Sequence, residues 1–222
     1  MASPGSVTRW DDEADIVIAG YGVAGAAAAI EAHDLDPTAD ILVLEKMPEP
    51  LQGGNSRASG QSLLISKNVE ALKNYQRRMS ESNPIPEDML SEWAERMCAL
   101  EPYIQERARD AGAQYIHGAG WSDRAAILEF PELGATEAVA HTATILPVPS
   151  GVWLTFKACV EKRPRIRRRF ECPIVDLVQD PDSLEVLGVI VQQDGERRAI
   201  RARRGVVVAT GGYEADLGMQ RD

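Results

Sequence analysis

The chain's hydrophobic pattern opens with an apolar run, Ala14-Asp15-Ile16-Val17-Ile18-Ala19, that passes straight into Gly20-Tyr21-Gly22-Val23-Ala24-Gly25. The alanine-rich segment Ala24 to Ala32 behind it predicts a helix, and the apolar run Ile41 to Leu44 predicts a second strand. Asp15 to Lys46 is therefore expected to form a βαβ unit. A glycine-rich loop, Met47 to Gln61, follows, and Leu63 to Met79 reads as helical. Pro86, Glu87 and Asp88 make a good helix start, because proline is tolerated in the first turn and acids there suit the dipole. The spacing Leu90, Trp93, Met97, Leu100, Ile104 is helical, with Pro102 expected to break it into two pieces. Trp93 and Trp153 fall at core spacings and read as packing. Ala113 to Gly151 shows no regular period, and Val152 to Lys162 restores a helix. Three strands are expected next, at Phe170 to Val178, Val186 to Gln192 and Arg198 to Ala202, the latter two joined by an Asp194-Gly195 hairpin turn. The last run, Gly205 to Tyr213, suits a parallel strand buried on both faces.

The first βαβ unit carries chemistry. A strand feeding Gly-x-Gly-x-x-Gly at a helix start aims backbone N–H groups and the positive end of a dipole at a pyrophosphate. Gly20 suits the tight turn, Gly22 the close backbone approach, and Gly25 the helix–strand contact. The acid that ends the second strand, Glu45, lies where a carboxylate accepts hydrogen bonds from a ribose. These features together indicate an adenine dinucleotide.

Composition narrows the picture. A net charge of −10 over 222 residues argues against general nucleic-acid binding. No apolar run approaches the roughly 20 residues of a membrane span, and Met1 to Asp12 lacks the apolar core of a secretory signal. Cys98, Cys159 and Cys172 are too few and too scattered for a disulfide framework or a thiolate metal site, which places the chain in the cytoplasm with reduced thiols and no metal expected. The basic run Lys162 to Arg169 reads as a solvated helix end plus an edge strand guarded by charge. The expected organisation is a flexible lead-in (1–13), a βαβ unit with its second glycine loop (14–62), a mostly helical insert (63–165) and the return of the first domain (166–222).

Four motifs in order carry a resemblance: Gly20-x-Gly22-x-x-Gly25; Leu44-Glu45-Lys46; Gly53-Gly54-Asn55-Ser56 with Ser59 and Gly60; and Ala209-Thr210-Gly211-Gly212-Tyr213-Glu214. Together they resemble the amino-terminal part of the flavoprotein superfamily of fumarate reductases and 3-ketosteroid Δ1-dehydrogenases, with the ketosteroid side slightly closer. The resemblance implies an α/β, Rossmann-like FAD-binding domain interrupted by a helical insert and a β-hairpin meander. It further implies that Val23, Ala24 and Lys46 join the glycines and Glu45 around FAD, and that Asn55, Ser56 and Ser59 line the flavin side. Ile174 would meet adenine through its backbone, while Ala209 to Gly212 stay small beside the cofactor. Relatives that attach FAD covalently use a histidine in the second loop; none lies between Gly53 and Gln61, so noncovalent FAD is expected. A nicotinamide Rossmann domain would not need that loop and would continue with further βα units.

The implied reaction is hydride exchange at a carbon β to a carbonyl or carboxylate, with proton transfer at the α carbon, on a steroid-like or carboxylate substrate. Members of the superfamily are considerably longer, so the chain is expected to be a fragment or to need a second polypeptide, with its electron partner unassigned. No catalytic residue stands out. By the resemblance, His141 falls in a region that borders substrate, yet the sequence offers it no partner acid; Tyr115 and His117 likewise lack a geometry. Tyr213 suits either the flavin edge or the core.

Overall fold

The computed structural model describes residues 1–60, 62–118, 130–214 and 216–221. In chain order these form β1 (Asp12–Ala19), α1 (Val23–Leu35), β2 (Ile41–Leu44), α2 (Gly54–Ala58), β3 (Leu63–Ile65), α3 (Val69–Met79), α4 (Glu87–Cys98), α5 (Leu100–Ala111), β4 (Gln114–His117), α6 (Ala135–Ala138), β5 (His141–Leu146), α7 (Gly151–Glu161), β6 (Ile166–Arg169), β7 (Ile174–Gln179), β8 (Val186–Gln193) and β9 (Glu196–Val208). They divide into two compact units, one of Met1–Ala58 with Phe156–Asp222 and one of Ser59–Thr155. The first has the mixed α/β character of a Rossmann-like domain.

Its sheet has the order β6-β2-β1-β9-β8-β7. β6, β2, β1 and β9 run parallel, and β9, β8 and β7 continue as an antiparallel meander. Ala14, Val17, Leu42, Leu44, Val189, Val191 and Ile200 form its core. On α1 the buried positions are Gly25, Ala26, Ala29 and Ile30, a helix face of small side chains that lets the backbone pack close. The hairpin turn falls where Asp-Gly predicts, with Asp194 (φ 52°) and Gly195 (φ 80°) both left-handed. The two strands expected at Arg198 to Ala202 and Gly205 to Tyr213 are one, β9. An extra residue near Arg203 bulges it: Ala14 pairs with Ala202, but Ile16 pairs with Gly205. Burial on both faces does not hold to its end, where Val207 is 38% and Val208 63% exposed. Rather than hanging free, the lead-in is tied to β7: Ala2 N donates to Leu177 O (2.9 Å), and Gln179 N donates to Ala2 O (3.1 Å).

The basic run does end in an edge strand, β6, but its charges are paired rather than merely solvated. Arg163 meets Asp34 (2.6 Å), Arg167 meets Asp40 (2.8 Å) and Arg168 meets Glu161 (3.1 Å), while Arg169 bonds Asp12.

The second unit corrects the sequence reading in two places. Leu63 to Met79 is not one helix: Leu63–Ile65 is a strand, and α3 begins only after Asn68, whose side chain caps it by accepting from Ala71 N (3.0 Å). The stretch with no visible period contains β4 and β5, which with β3 make an antiparallel sheet of order β3-β5-β4. Residues 119–129 of that stretch lie outside the described residues. The break between α4 and α5 falls at Ala99, which puts Pro102 in the first turn of α5, where its missing N–H costs nothing. Leu72, Ala94 and Ala138 form a small core. Trp153 is buried at 2% exposure, as expected of a packing residue, whereas Trp93 is 37% exposed. Among the described residues no helix is long and apolar enough to cross a membrane.

Candidate cofactor site

The glycine motif turns between β1 and α1. Gly20 (φ 99°) lies in the left-handed region, and a Cβ there would sit 2.4 Å from Ala209 O. Ala209 N in turn donates to Ala19 O (2.8 Å). That packing brings Ala209 and Thr210 against the turn, so the first and last motifs of the sequence are neighbours in space. Gly25 lies in the first turn of α1, and a Cβ on it would meet Gly20 O at 2.0 Å. Gly22 differs from both: its φ is an ordinary −87°, and the nearest atom to an added Cβ is the Ser56 hydroxyl at 3.1 Å.

α1 starts without a side-chain cap from Gly22 and without an acid in its first turn. Val23 N donates to Ser56 Oγ (3.1 Å) on α2, which joins the second glycine loop to the start of the helix. Gly53 (φ 107°) and Gly54 (φ 48°) carry the chain through left-handed backbone into α2, and Gly54, Gly60 and Gly211 would each meet open space with an added Cβ. Asn55 and Lys46 are exposed and Ser56 is half-buried. Ser59 and Gly60 begin the second unit.

Glu45 is buried at 6% exposure and does two jobs that the sequence did not reveal. Its Oε2 accepts from Tyr21 N (3.1 Å) and its Oε1 from Met47 N (2.9 Å). Each carboxylate oxygen retains a second lone-pair site. Cys172 N donates to Glu45 O (3.0 Å), which brings the segment leading into Ile174 alongside. Tyr21, the variable residue inside the glycine motif, is fully buried with its ring tilted against Phe170 (centroids 6.3 Å apart). Burial pushes its hydroxyl up to about 12 despite the facing Arg168, so Tyr21 is a neutral packing residue. Tyr213 is 59% exposed and does not fill the core.

The three side chains weighed for acid/base work all lie in the second unit, and they converge on an acid that the sequence did not flag. Glu101, in the first turn of α5, accepts hydrogen bonds from Tyr115 and His141 and lies beside His117. His141 thus has the partner acid that was not evident in the sequence, and it is buried rather than on the surface. Burial opposes the charge on Glu101, but the bonds from Tyr115 and His141 outweigh it and hold the carboxyl below its ordinary range. The Tyr115 hydroxyl is raised, first by burial and then by Glu101.

A glycine turn at a helix start, with a buried acid at the end of the adjacent strand, defines a dinucleotide-binding α/β domain. The chain belongs to the FAD binding domain family, whose pattern matches residues 15–221. It is 27% identical to 3-ketosteroid-Δ4-(5α)-dehydrogenase of Rhodococcus jostii, solved with 4-androstene-3,17-dione, with a TM-score of 0.77 over 99% of this chain and 50% of that one. It is 29% identical to the acrylate reductase flavoprotein subunit of Shewanella woodyi, over 96% of this chain and 42% of that protein. Quinol fumarate reductase of E. coli shares the fold at 20% identity (TM-score 0.64, 90% of this chain and 33% of that one). The chain therefore spans half or less of the length of these proteins.

FAD is the cofactor of this family, and the residues present fit it. The first turn of α1 presents backbone amides, of which Val23's donates to Ser56 Oγ, and the space beside Gly54 and Gly211 is open. Replacing Glu45 by alanine should both lower flavin retention and destabilise the first unit. The substitution strips an acceptor from the buried amide of Tyr21, at about 1–3 kcal/mol for an orphaned donor, and from the half-buried amide of Met47. Flavin content per chain and a thermal melt check the two effects separately. Undiminished FAD content in Glu45→Ala would remove Glu45 from the cofactor site.

Proposed function

We propose that this chain is the FAD-binding portion of an oxidoreductase that interconverts C–C single and C=C double bonds beside a carbonyl or carboxylate. The carrying observation is the glycine-built start of α1, set between the Ala209–Thr210 segment and the Ser56 hydroxyl that holds Val23 N, with buried Glu45 at the end of β2. On this reading the helix start of Gly22, Val23, Ala24 and Gly25 receives the pyrophosphate, with the Val23 amide held by Ser56 Oγ and its neighbours facing the phosphates, and Gly20 keeps the turn tight. Glu45 accepts from the ribose, with Lys46 beside it. Gly53, Gly54, Asn55 and Ser56, with Ser59 and Gly60, border the cofactor on its flavin side, and Ala209 to Gly212 keep that side free of bulk. Ile174 presents backbone to the adenine. The attachment is noncovalent, since the second loop holds no histidine.

Bound FAD supplies hydride exchange, and the related steroid dehydrogenase and acrylate reductase support a steroid-like or small unsaturated carboxylate substrate. Cys98, Cys159 and Cys172 are in no disulfide, the last two being buried, which suits a reducing compartment such as the cytoplasm. A second reading, a module that holds FAD but needs another polypeptide for chemistry, draws on exposed apolar side chains at and beyond the end of β9, Val208 at 63% and Tyr213 at 59% exposure.

The deciding experiment is the visible absorption spectrum of the purified chain, with the released flavin identified. Bound, releasable FAD is expected. A colourless chain that also takes up no added FAD would overturn the cofactor site as assigned. Turnover with an artificial electron acceptor then separates the two readings.

A further inference from the structure

Away from the dinucleotide site, the unit Ser59–Thr155 gathers three ligating side chains of mixed class on regular secondary structure. Glu101 Oε1 lies 3.0 Å from His141 Nε2 and 3.8 Å from His117 Nδ1. The two imidazole rings face each other with centroids 4.0 Å apart at 33°. One ligand atom from each residue falls within 4.8 Å of the others. The register explains the meeting: His117 ends β4 opposite Ala143, two residues beyond His141 at the start of β5. The two histidines are thus diagonal neighbours on one face of the sheet.

We propose that Glu101, His117 and His141 form a binding site for a divalent transition-metal ion of the Zn2+ type. Two imidazoles and one carboxylate are the donor set that suits such an ion, whereas Mg2+ and Ca2+ favour oxygen ligands throughout. Zinc bonds of about 2.0–2.2 Å in a tetrahedron place ligand atoms about 3.3 Å apart. His141 and Glu101 already stand near that separation, and a small turn of the His117 ring supplies the rest. His117 is free to make it, since its side chain is 64% exposed while those of Glu101 and His141 are 16% and 11% exposed. The Tyr115 hydroxyl, donating to Glu101 Oε1 at 2.9 Å, orients the carboxylate as a metal ligand requires. Lys67 Nζ, 3.4 Å from Glu101 Oε2 and 64% exposed, competes for the same charge and swings out when the ion enters. Three protein ligands leave a fourth position for water or an external ligand.

The test is equilibrium dialysis of the purified chain, stripped with chelator, against Zn2+, followed by Co2+ loading for the visible spectrum. One Zn2+ per chain is expected. His117→Ala and Glu101→Gln should bind at least about 10-fold more weakly, Lys67→Met more tightly, and His33→Ala, in the last turn of α1 and so in the first unit, as the parent does. His117 is exposed enough that its removal should leave the fold intact, which circular dichroism verifies. The Co2+ form should show d–d bands without a thiolate charge-transfer band. Absence of stoichiometric Zn2+, affinity unchanged by His117→Ala, or a thiolate band would each overturn the site. Zn2+ stoichiometry is independent of flavin content, and the Co2+ spectrum is read as the difference from the Zn2+ form, which cancels any flavin absorption.

Discussion

A Gly25→Ala chain is expected to melt at least about 6–12 °C below the parent, a loss of about 3 kcal/mol or more in a protein of this size. The added methyl would lie 2.0 Å from Gly20 O and 3.1 Å from Gly20 C, with Ile18 Cγ2 at 3.4 Å. The first two contacts are backbone, so no side chain can swing aside. Gly20 cannot retreat either, because its N–H is bonded to Leu44 O at 2.8 Å and Ala209 O lies against its other side. Relief requires α1 to lift from β1, which opens the packing of Ala26, Ala29 and Ile30 behind it. Set against a typical total of about 5–15 kcal/mol, that is a large fraction of the stability. Gly205→Ala is the matched control: an added Cβ there meets nothing within 4 Å, so its melt should stay within a degree or two of the parent's. A Gly25→Ala melt equally close to the parent's would refute the helix–strand contact as the reason for that glycine.

What was legible in the sequence was the part governed by local pattern. The strand, turn and helix from Asp12 to Leu35, the acid at Glu45 and the Asp194-Gly195 hairpin each depend on neighbours within a few residues. β3 was missed because three residues are too few for alternation to register. β5 was missed because His141 to Ile145 are all buried, which erases the polar half of the pattern. β9 was read as two strands because the bulge at Arg203 interrupts the period within its pairing to β1. Glu101 was passed over for another reason: an acid in the first turn of a helix has a sufficient local explanation in the helix dipole. Its meeting with His117 and His141 depends on antiparallel pairing of β4 with β5 across a long connection, which no short window of sequence contains. The part Glu45 plays in holding backbone amides was hidden likewise, since Tyr21 lies 24 residues away.

Gly22→Val should give the opposite phenotype to Gly25→Ala: a chain that folds but does not hold FAD. The backbone at Gly22, with φ −87° and ψ −171°, is extended and suits a β-branched residue. The closest atom to an added Cβ is Ser56 Oγ at 3.1 Å, the far end of a small side chain, with Gly53 O next at 3.7 Å. Rotation of Ser56 relieves the contact at the cost of its bond from Val23 N, about 1 kcal/mol. The cofactor has no such latitude. Two methyl groups at the mouth of α1 occupy the ground that a pyrophosphate must take to reach the helix amides. FAD affinity should fall by at least about 100-fold, or about 2.7 kcal/mol, while the melt of the flavin-free chain moves by only a few degrees. Released flavin per chain measures the first quantity and circular dichroism the second. Parental flavin content in this variant would mean that the phosphates lie elsewhere; an unfolded chain would mean that Gly22, like Gly25, serves the fold before it serves the ligand.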